Sequence, residues 1–253
     1  MGDGIYTALT GAIAQQQSLD VIANNVANAN TTGFRADRAV FSEFLAGAQR
    51  SENPAINQQN PPRSDHFVQV DAITHDQQDG ALRLTGNSLD FGLSGDGFFV
   101  VGTPQGERLT RAGSFMMHPD GTLSTHDGHG VLGEDGQPIR ISGTAAQVQV
   151  SEDGSIQVDG QRVSKFKLVR APDASKLDKE SSTYFVPTEG AELAAATNVR
   201  VTQGHLESSN VNAVAGLNEL ITVNRSFDAL QRIIETFQKL DERTARELGS
   251  RNG

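Results

Sequence analysis

The residues best suited to chemistry lie in the middle of the chain. His118, His126 and His129 stand beside Asp120 and Asp127, and imidazole and carboxylate are ordinary metal ligands. Both aspartates are followed by glycine, however, and Asp-Gly is first of all a hairpin-turn pair, with histidine a common surface neighbour. The chain has no cysteine, which removes thiolate metal sites, disulfides and thiol nucleophiles together. Its other Asp-Gly pairs lack the alternating oxygen ligands and closing glutamate of a calcium loop. Gly95-Asp96-Gly97 leads into the β-type run Phe98-Phe99-Val100-Val101 rather than a helix, so it lacks the geometry of a phosphate cradle. Ser, His and Asp occur without a Gly-x-Ser-x-Gly elbow to mark a nucleophile. The expectation is a chain with no catalytic residue, cofactor or metal, hence not an enzyme.

The elements around these residues tell more. Across 253 residues, 31 acidic against 21 basic side chains give a net charge of −10, which repels phosphate surfaces and argues against nucleic acid as a partner. Only 36% of residues are hydrophobic, low for a compact globule of this length, so part of the core is expected from another molecule. No apolar run is long enough to cross a membrane, so direct membrane insertion is not expected. Met1 to Phe34 contains no Lys or Arg, so it does not read as a cleaved Sec-type signal.

Ile5, Leu9, Ala12, Gln16, Leu19, Ala23 and Val26 follow one another at steps of four and three, a single stripe on a long helix. The helix should stop where Asn24, Asn25, Asn28, Asn30, Thr31, Thr32 and Gly33 accumulate. Leu220, Val223, Phe227, Leu230, Ile234, Phe237, Thr244 and Leu248 repeat the spacing near the other end. Asn210 or Asn212 could cap that second helix, and Gly249 could end it.

Ser51 to His66 carries three prolines and almost nothing apolar, the composition of a linker or of a loop that orders on assembly. Beyond it come short β-type runs such as Gln147-Val148-Gln149-Val150, and seven of the eight Asp-Gly pairs lie between Asp79 and Gly160. That density predicts consecutive antiparallel hairpins. The expected fold is α+β and mainly β: an antiparallel β domain inserted between two long terminal helices that pair as a coiled-coil-like domain. The expected boundaries are 1–34 pairing with 206–253, a linker or extended region at 35–78, and a β-rich domain at 79–205.

Burying the few large residues of the first stripe yields about 10 kcal/mol at roughly 1.5–3 kcal/mol each. Fixing its backbone costs roughly 25–50 kcal/mol, offset in part by helical hydrogen bonds. The first helix is therefore marginal alone. Pairing with the second covers one face, and the nearly uncharged remainder still needs a partner, which predicts assembly with neighbouring subunits. A self-contained helical hairpin flanking the β domain is the alternative from pattern alone.

The stretch from Leu19 to Arg35, LDVIANNVANANTTGFR, resembles the amino-terminal signature of the rod and hook proteins of the bacterial flagellum. TGNSLD at Thr85–Asp90, GDGFFVV at Gly95–Val101, LTRAGSF at Leu109–Phe115 and GHLESSNV at Gly204–Val211 follow in the family's order. The single β domain and short chain resemble a rod subunit rather than a hook subunit. The Asn-rich loop and Asn224-Arg225-Ser226-Phe227-Asp228-Ala229 resemble a proximal more than a distal rod subunit, the distal one being the nearest alternative. The resemblance implies a non-enzymatic subunit of the basal-body rod, the periplasm-spanning drive shaft that transmits motor torque for motility. It implies export without a cleaved signal through the flagellar type III apparatus, and partners among copies of itself and other rod proteins. The stripe residues Ile5, Leu9, Ala12, Leu19, Ala23, Val26, Leu220, Val223, Phe227, Leu230, Ile234 and Phe237 are then the assembly helices. Asn24, Asn25, Asn28, Asn30, Thr32, Gly33 and Phe34 form the family's signature loop. On this reading, deleting Met1 to Phe34 leaves a soluble β domain that no longer enters basal bodies. A monomeric β-domain binding module, with the helices as braces, is the competing class.

Overall fold

The computed structural model describes residues 2–46, 65–141 and 148–250. Helix α1 spans Gly2–Ala27 and helix α2 spans Ala213–Ser250. Between them lie β1 (Asp37–Ala46), β2 (Asp65–His75), β3 (Leu82–Leu84), β4 (Phe91–Ser94), β5 (Phe98–Thr103), β6 (Gly106–Thr110), β7 (Phe115–Met117), β8 (Leu123–Thr125) and β9 (Gly130–Val131). They are followed by β10 (Val148–Val150), β11 (Ser155–Val158), β12 (Gln161–Lys165), β13 (Leu168–Arg170), β14 (Leu177–Lys179), β15 (Tyr184–Pro187), β16 (Ala194–Ala195), β17 (Arg200–Gln203) and β18 (His205–Glu207). The chain forms two compact units, one of Met1–Asn24, Asp37–Thr74 and Ala213–Gly253, the other of Asn25–Ala36 and His75–Asn212.

The stretch 35–78, expected as linker or extended chain, supplies a paired ribbon of β1 and β2. Alternation in VFSEF and DHFVQV suits strands, and the proline-rich stretch 51–66 falls outside the described residues up to position 64. Gln147 also lies outside them, while Val148 begins β10. Helix α2 runs through Gly249 to Ser250 rather than ending at the glycine.

The second unit is built of antiparallel pairs. Its nine-stranded sheet runs β14-β15-β6-β5-β9-β8-β7, with β13 also on β5 and β16 on β13. The dense apolar run at 98–101 is explained by its place at the middle of this sheet. Phe99 and Val101 enter one core cluster, Phe98 and Val100 another, and a strand covered on both faces needs a continuous rather than alternating apolar pattern. The larger cluster centres on Phe91, Phe99, Phe115 and Phe166, whose rings meet at centroid distances of 5.2 to 6.2 Å.

Hairpins account for β5-β6, β7-β8, β8-β9, β10-β11 and β11-β12. The unit is closed by pairings that local turns do not make: β4 with β17, and β3 with β18. Most of the Asp-Gly pairs behave as turns, with the glycine at positive φ in Gly121, Gly128, Gly136, Gly154 and Gly160. Gly80 and Gly97 do not. A Cβ on Gly80 would lie 1.8 Å from Ser208 O, and one on Gly97 2.5 Å from Val199 Cγ2, so these glycines permit close approach rather than a turn.

On β15, the Tyr184 hydroxyl donates to the Asp127 carboxylate at 2.8 Å and lies 3.1 Å from Thr125 Oγ1. Burial, reinforced by Asp127, pushes this phenol up to about 12. A raised acid favours the folded state while protonated, so its contribution is present below about pH 10 and is lost as pH rises through about 12. In a Tyr6→Phe background, phenolate absorbance should titrate with a midpoint near 12. A midpoint at the ordinary phenol value would show that the Tyr184 hydroxyl is solvated.

Candidate assembly site

Among the described residues, no three His, Asp or Glu side chains converge as metal ligands. Asp120 instead accepts from Thr122 N at 3.1 Å and Thr122 Oγ1 at 2.9 Å, and these bonds hold its carboxyl below the usual range. His126 Nε2 pairs with Ser114 Oγ at 3.1 Å, and His129 lies edge-on to Tyr184.

In the first unit, α1 and α2 touch along small residues of α1. A Cβ on Gly4 would stand 3.1 Å from Phe237 Cζ, and one on Gly11 3.6 Å from Leu230 Cδ1. Seven residues forward on α1 match seven back on α2, so the helices lie antiparallel. On α2, the partly buried positions Leu220, Val223, Phe227, Leu230, Ile234 and Phe237 alternate with exposed ones, and Leu230 and Phe237 face Gly11 and Gly4 of α1.

On α1 the inward side differs from the sequence reading. Ala8, Ala12, Ala14 and Ile22 are buried, Ile5, Leu19 and Val26 are partly so, and Leu9, Gln16 and Ala23 are exposed. Packing distance supplies the reason. Glycine and alanine let the large residues of α2 come close, whereas a stripe chosen for bulk places Leu9 inward. Tyr6, Leu9 and Ile13 therefore form an outward apolar row, with Leu9 at 46% and Ile13 at 52% exposure. Val214, Leu217 and Ile221 form a similar row on α2, followed by exposed Ile233 and Leu240. Such a row at i, i+3 and i+7 lies on one helix face.

The signature loop, which lies in the second unit from Asn25 onward, turns inward at its end. Asn24 and Asn30 are exposed and Asn25, Asn28 and Thr32 are partly buried, but Gly33, Phe34 and Arg35 are buried. After α1 the chain tightens through Thr31 N to Asn28 O (3.0 Å) and Phe34 N to Thr31 O (3.3 Å). Gly33 takes φ 70°, and its N–H donates to Glu207 O at 2.8 Å. Phe34, at 1% exposure, carries the Lys179 ammonium 3.7 Å above its ring centre, and Lys179 Nζ donates to Arg35 O at 2.8 Å. Deleting Met1 to Phe34 therefore removes core of the β unit as well as the helix, and a cut that spares that unit falls after Asn24.

Arg35 then enters a buried ionic cluster. Its Nη2 lies 3.0 Å from Asp79 Oδ1 and 2.9 Å from Glu207 Oε1. Arg111 Nη1 lies 3.2 Å from Glu207 Oε2, and Arg111 Nη2 donates to Gly95 O. Glu207 Oε1 also accepts from Gly80 N at 3.0 Å. Burial pushes the Glu207 carboxyl up against the pull of Arg111 and Arg35. Burial acts the same way on Asp79, but bonds from Gly95 N and Arg35 with the charge of Arg111 outweigh it and hold that carboxyl low. Two guanidiniums face two carboxylates, a neutral set that the protein interior tolerates.

Asn210 is not the cap of α2. Its Oδ1 accepts from Ala36 N at 2.8 Å, and its Nδ2 donates to Asp76 O at 3.2 Å and Gln78 O at 3.0 Å, leaving Asn212 immediately before the helix. Sequence reading missed Asp79, Lys179 and the roles of Arg35, Arg111, Glu207 and Asn210. A signal existed for three of them: Arg35, Arg111 and Glu207 are charges set inside largely uncharged signature runs.

Three family models match the chain: flagella basal body rod protein at residues 5–35, flagellar hook protein FlgE/F/G D1 domain at 92–158, and flagellar basal body rod FlgEFG protein C-terminal at 202–247. Over 250 residues the chain is 31% identical to flagellar basal-body rod protein FlgF of Rhizobium meliloti, covering 98% of this chain and 99% of the relative. It is 32% identical over 254 residues to FlgF of Mesorhizobium japonicum, covering both chains in full. It is 30% identical over 255 residues to flagellar basal-body rod protein FlgG of Bacillus subtilis, covering 93% and 95%.

Proposed function

The chain belongs to the flagellar basal-body rod protein family, and from that membership we propose that it builds the proximal part of the rod by polymerising through its terminal helices. It is a structural subunit of the basal body, not an enzyme. The observation that carries the assembly reading is the pair of outward apolar rows, Tyr6-Leu9-Ile13 and Val214-Leu217-Ile221, on helices that already cover one face against each other. Water-exposed rows of this size on neighbouring helices are unfavourable in a lone subunit and are covered when copies pack in coiled-coil fashion. Copies of the same chain and other rod proteins are the partners, and the resulting shaft carries torque across the periplasm. The marginal stability of α1 alone suits passage through the flagellar type III export apparatus without a cleaved signal.

Leu9→Asp with Ile221→Asp tests this reading without touching the helix contact at Gly4 and Gly11. Helical circular dichroism of the monomer should stay unchanged, while recovery in purified basal bodies falls at least ~10-fold, the effect of burying an unpaired charge worth ~1.4 kcal/mol or more. Normal recovery of the double variant would remove the rows from the interface. A labelled chain imaged at the far end of the rod would move the subunit from the proximal to the distal position.

A further inference from the structure

The residues that follow α1 are held in the second unit almost entirely by groups distant in the chain. Gly33 N bonds Glu207 O, Ala36 N bonds Asn210 Oδ1, Arg35 O accepts from Lys179, and Asn210 N lies 3.4 Å from Phe34 O. Phe34 fills an aromatic seat beside Lys179 and Arg35 fills a carboxylate seat between Asp79 and Glu207. None of these contacts is a rung of the sheets, which close through β3 with β18 and β4 with β17. The seat is thus lined by elements whose own pairing does not pass through the segment.

We propose that residues 33–36 are a detachable clasp: the β unit holds a preformed groove for this segment, and the unit is open or closed according to whether Phe34 and Arg35 are seated. Two features make the clasp separable from the rest of the core. Among the described residues Arg35 Nη1 is buried without a hydrogen-bond partner, so the seated state carries a desolvation cost. Arg111 pairs with Glu207 at 3.2 Å through a different carboxylate oxygen from the one Arg35 uses, so the groove has a charge pair that does not pass through Arg35. The clasp follows the end of α1 by six residues, so seating it fixes where the helix must end. A chain whose amino-terminal segment is engaged elsewhere keeps its β unit open, and closure registers release of that segment.

Amide hydrogen exchange on the full chain tests it. In Phe34→Ala with Arg35→Ala, exchange at Gly33, Ala36, Gly80 and Asn210 should quicken at least ~100-fold, with β5 and β6 protected as in the unchanged chain. A synthetic peptide of residues 28–36 added to this variant should restore protection at Gly80 and Asn210, and the same peptide carrying both alanines should not. Unchanged protection in the variant overturns the proposal. So does loss of protection that spreads through β5 and β6, which makes the segment ordinary core. Failure of the peptide to restore protection also overturns it, because then no preformed groove exists.

Discussion

Glu207→Ala is expected to lower the stability of the β unit by about 3–5 kcal/mol, the cost of removing one partner from a buried ion pair. Glu207 is 1% exposed and is the shared partner of Arg35, Arg111 and the Gly80 N–H. Its loss leaves one remaining carboxylate, Asp79, 3.0 Å from Arg35 and 3.5 Å from Arg111, to compensate two guanidiniums. The measurement is the urea midpoint of the β-sheet circular dichroism band of the full chain. Arg111→Met combined with Glu207→Met should recover part of the loss, since an apolar pair of similar volume avoids uncompensated charge. Glu207, pushed up by burial, and Asp79 act with opposite signs as pH changes; the stabilising ionised partner is Asp79, whose carboxyl is held below its ordinary value. Its contribution is present above the unfolded carboxylate pKa and disappears as pH falls through the lowered one. A cost under about 1 kcal/mol, the range of surface pairs, would mean that the cluster is solvated.

Gly113→Ala should be comparably severe for a different reason. The Gly113 backbone is not in the left-handed region, so alanine is conformationally acceptable there. The obstacle is space: the new Cβ would lie 1.7 Å from Phe91 O and 3.2 Å from Phe99 Cε2. Both neighbours belong to the four-phenylalanine core, and Phe91 N donates to Gly113 O at 2.9 Å. Backbone must separate to admit a methyl, at about 3 kcal/mol or more. Gly128→Ala is the control. Gly128 has φ 84° and nothing within 4 Å of a Cβ, so it should cost only the left-handed penalty of about 1–2 kcal/mol. Equal midpoints for the two variants would show that the close approach at Gly113 relaxes freely.

These two glycines show where sequence reading stops. Both occur in runs that read as turn or signature, and nothing local separates the one required by φ from the one required by packing. Asp-Gly is likewise legible as a turn at 127–128, 135–136 and 159–160, where the glycine has positive φ and nothing lies within 4 Å of a Cβ. It misleads at 79–80 and 96–97, where the constraint is Ser208 or Val199 arriving from far along the chain.

The helices divide in the same way. The large residues of α2 mark their own inward face, because bulk and burial coincide there. On α1 they do not coincide: Gly4 faces Phe237, Gly11 faces Leu230, Ala8 is buried, and Leu9 is left outside. Which side is inward depends on the partner's size, and that is absent from α1's own pattern.

By itself, then, the sequence determined the helix, β domain, helix order, the antiparallel hairpins, the family and the absence of any thiol chemistry, since each rests on periodicity, turn chemistry or composition read within a few residues. Only the tertiary structure decided that the signature loop is an inward anchor, that buried Arg35, Arg111 and Glu207 share one charge balance with Asp79 at its edge, and that Asn210 ties residue 36 to residues 76–78 rather than capping a helix. Those facts join positions up to 174 residues apart, and a contact of that span is set by how the sheets close, which no local pattern encodes.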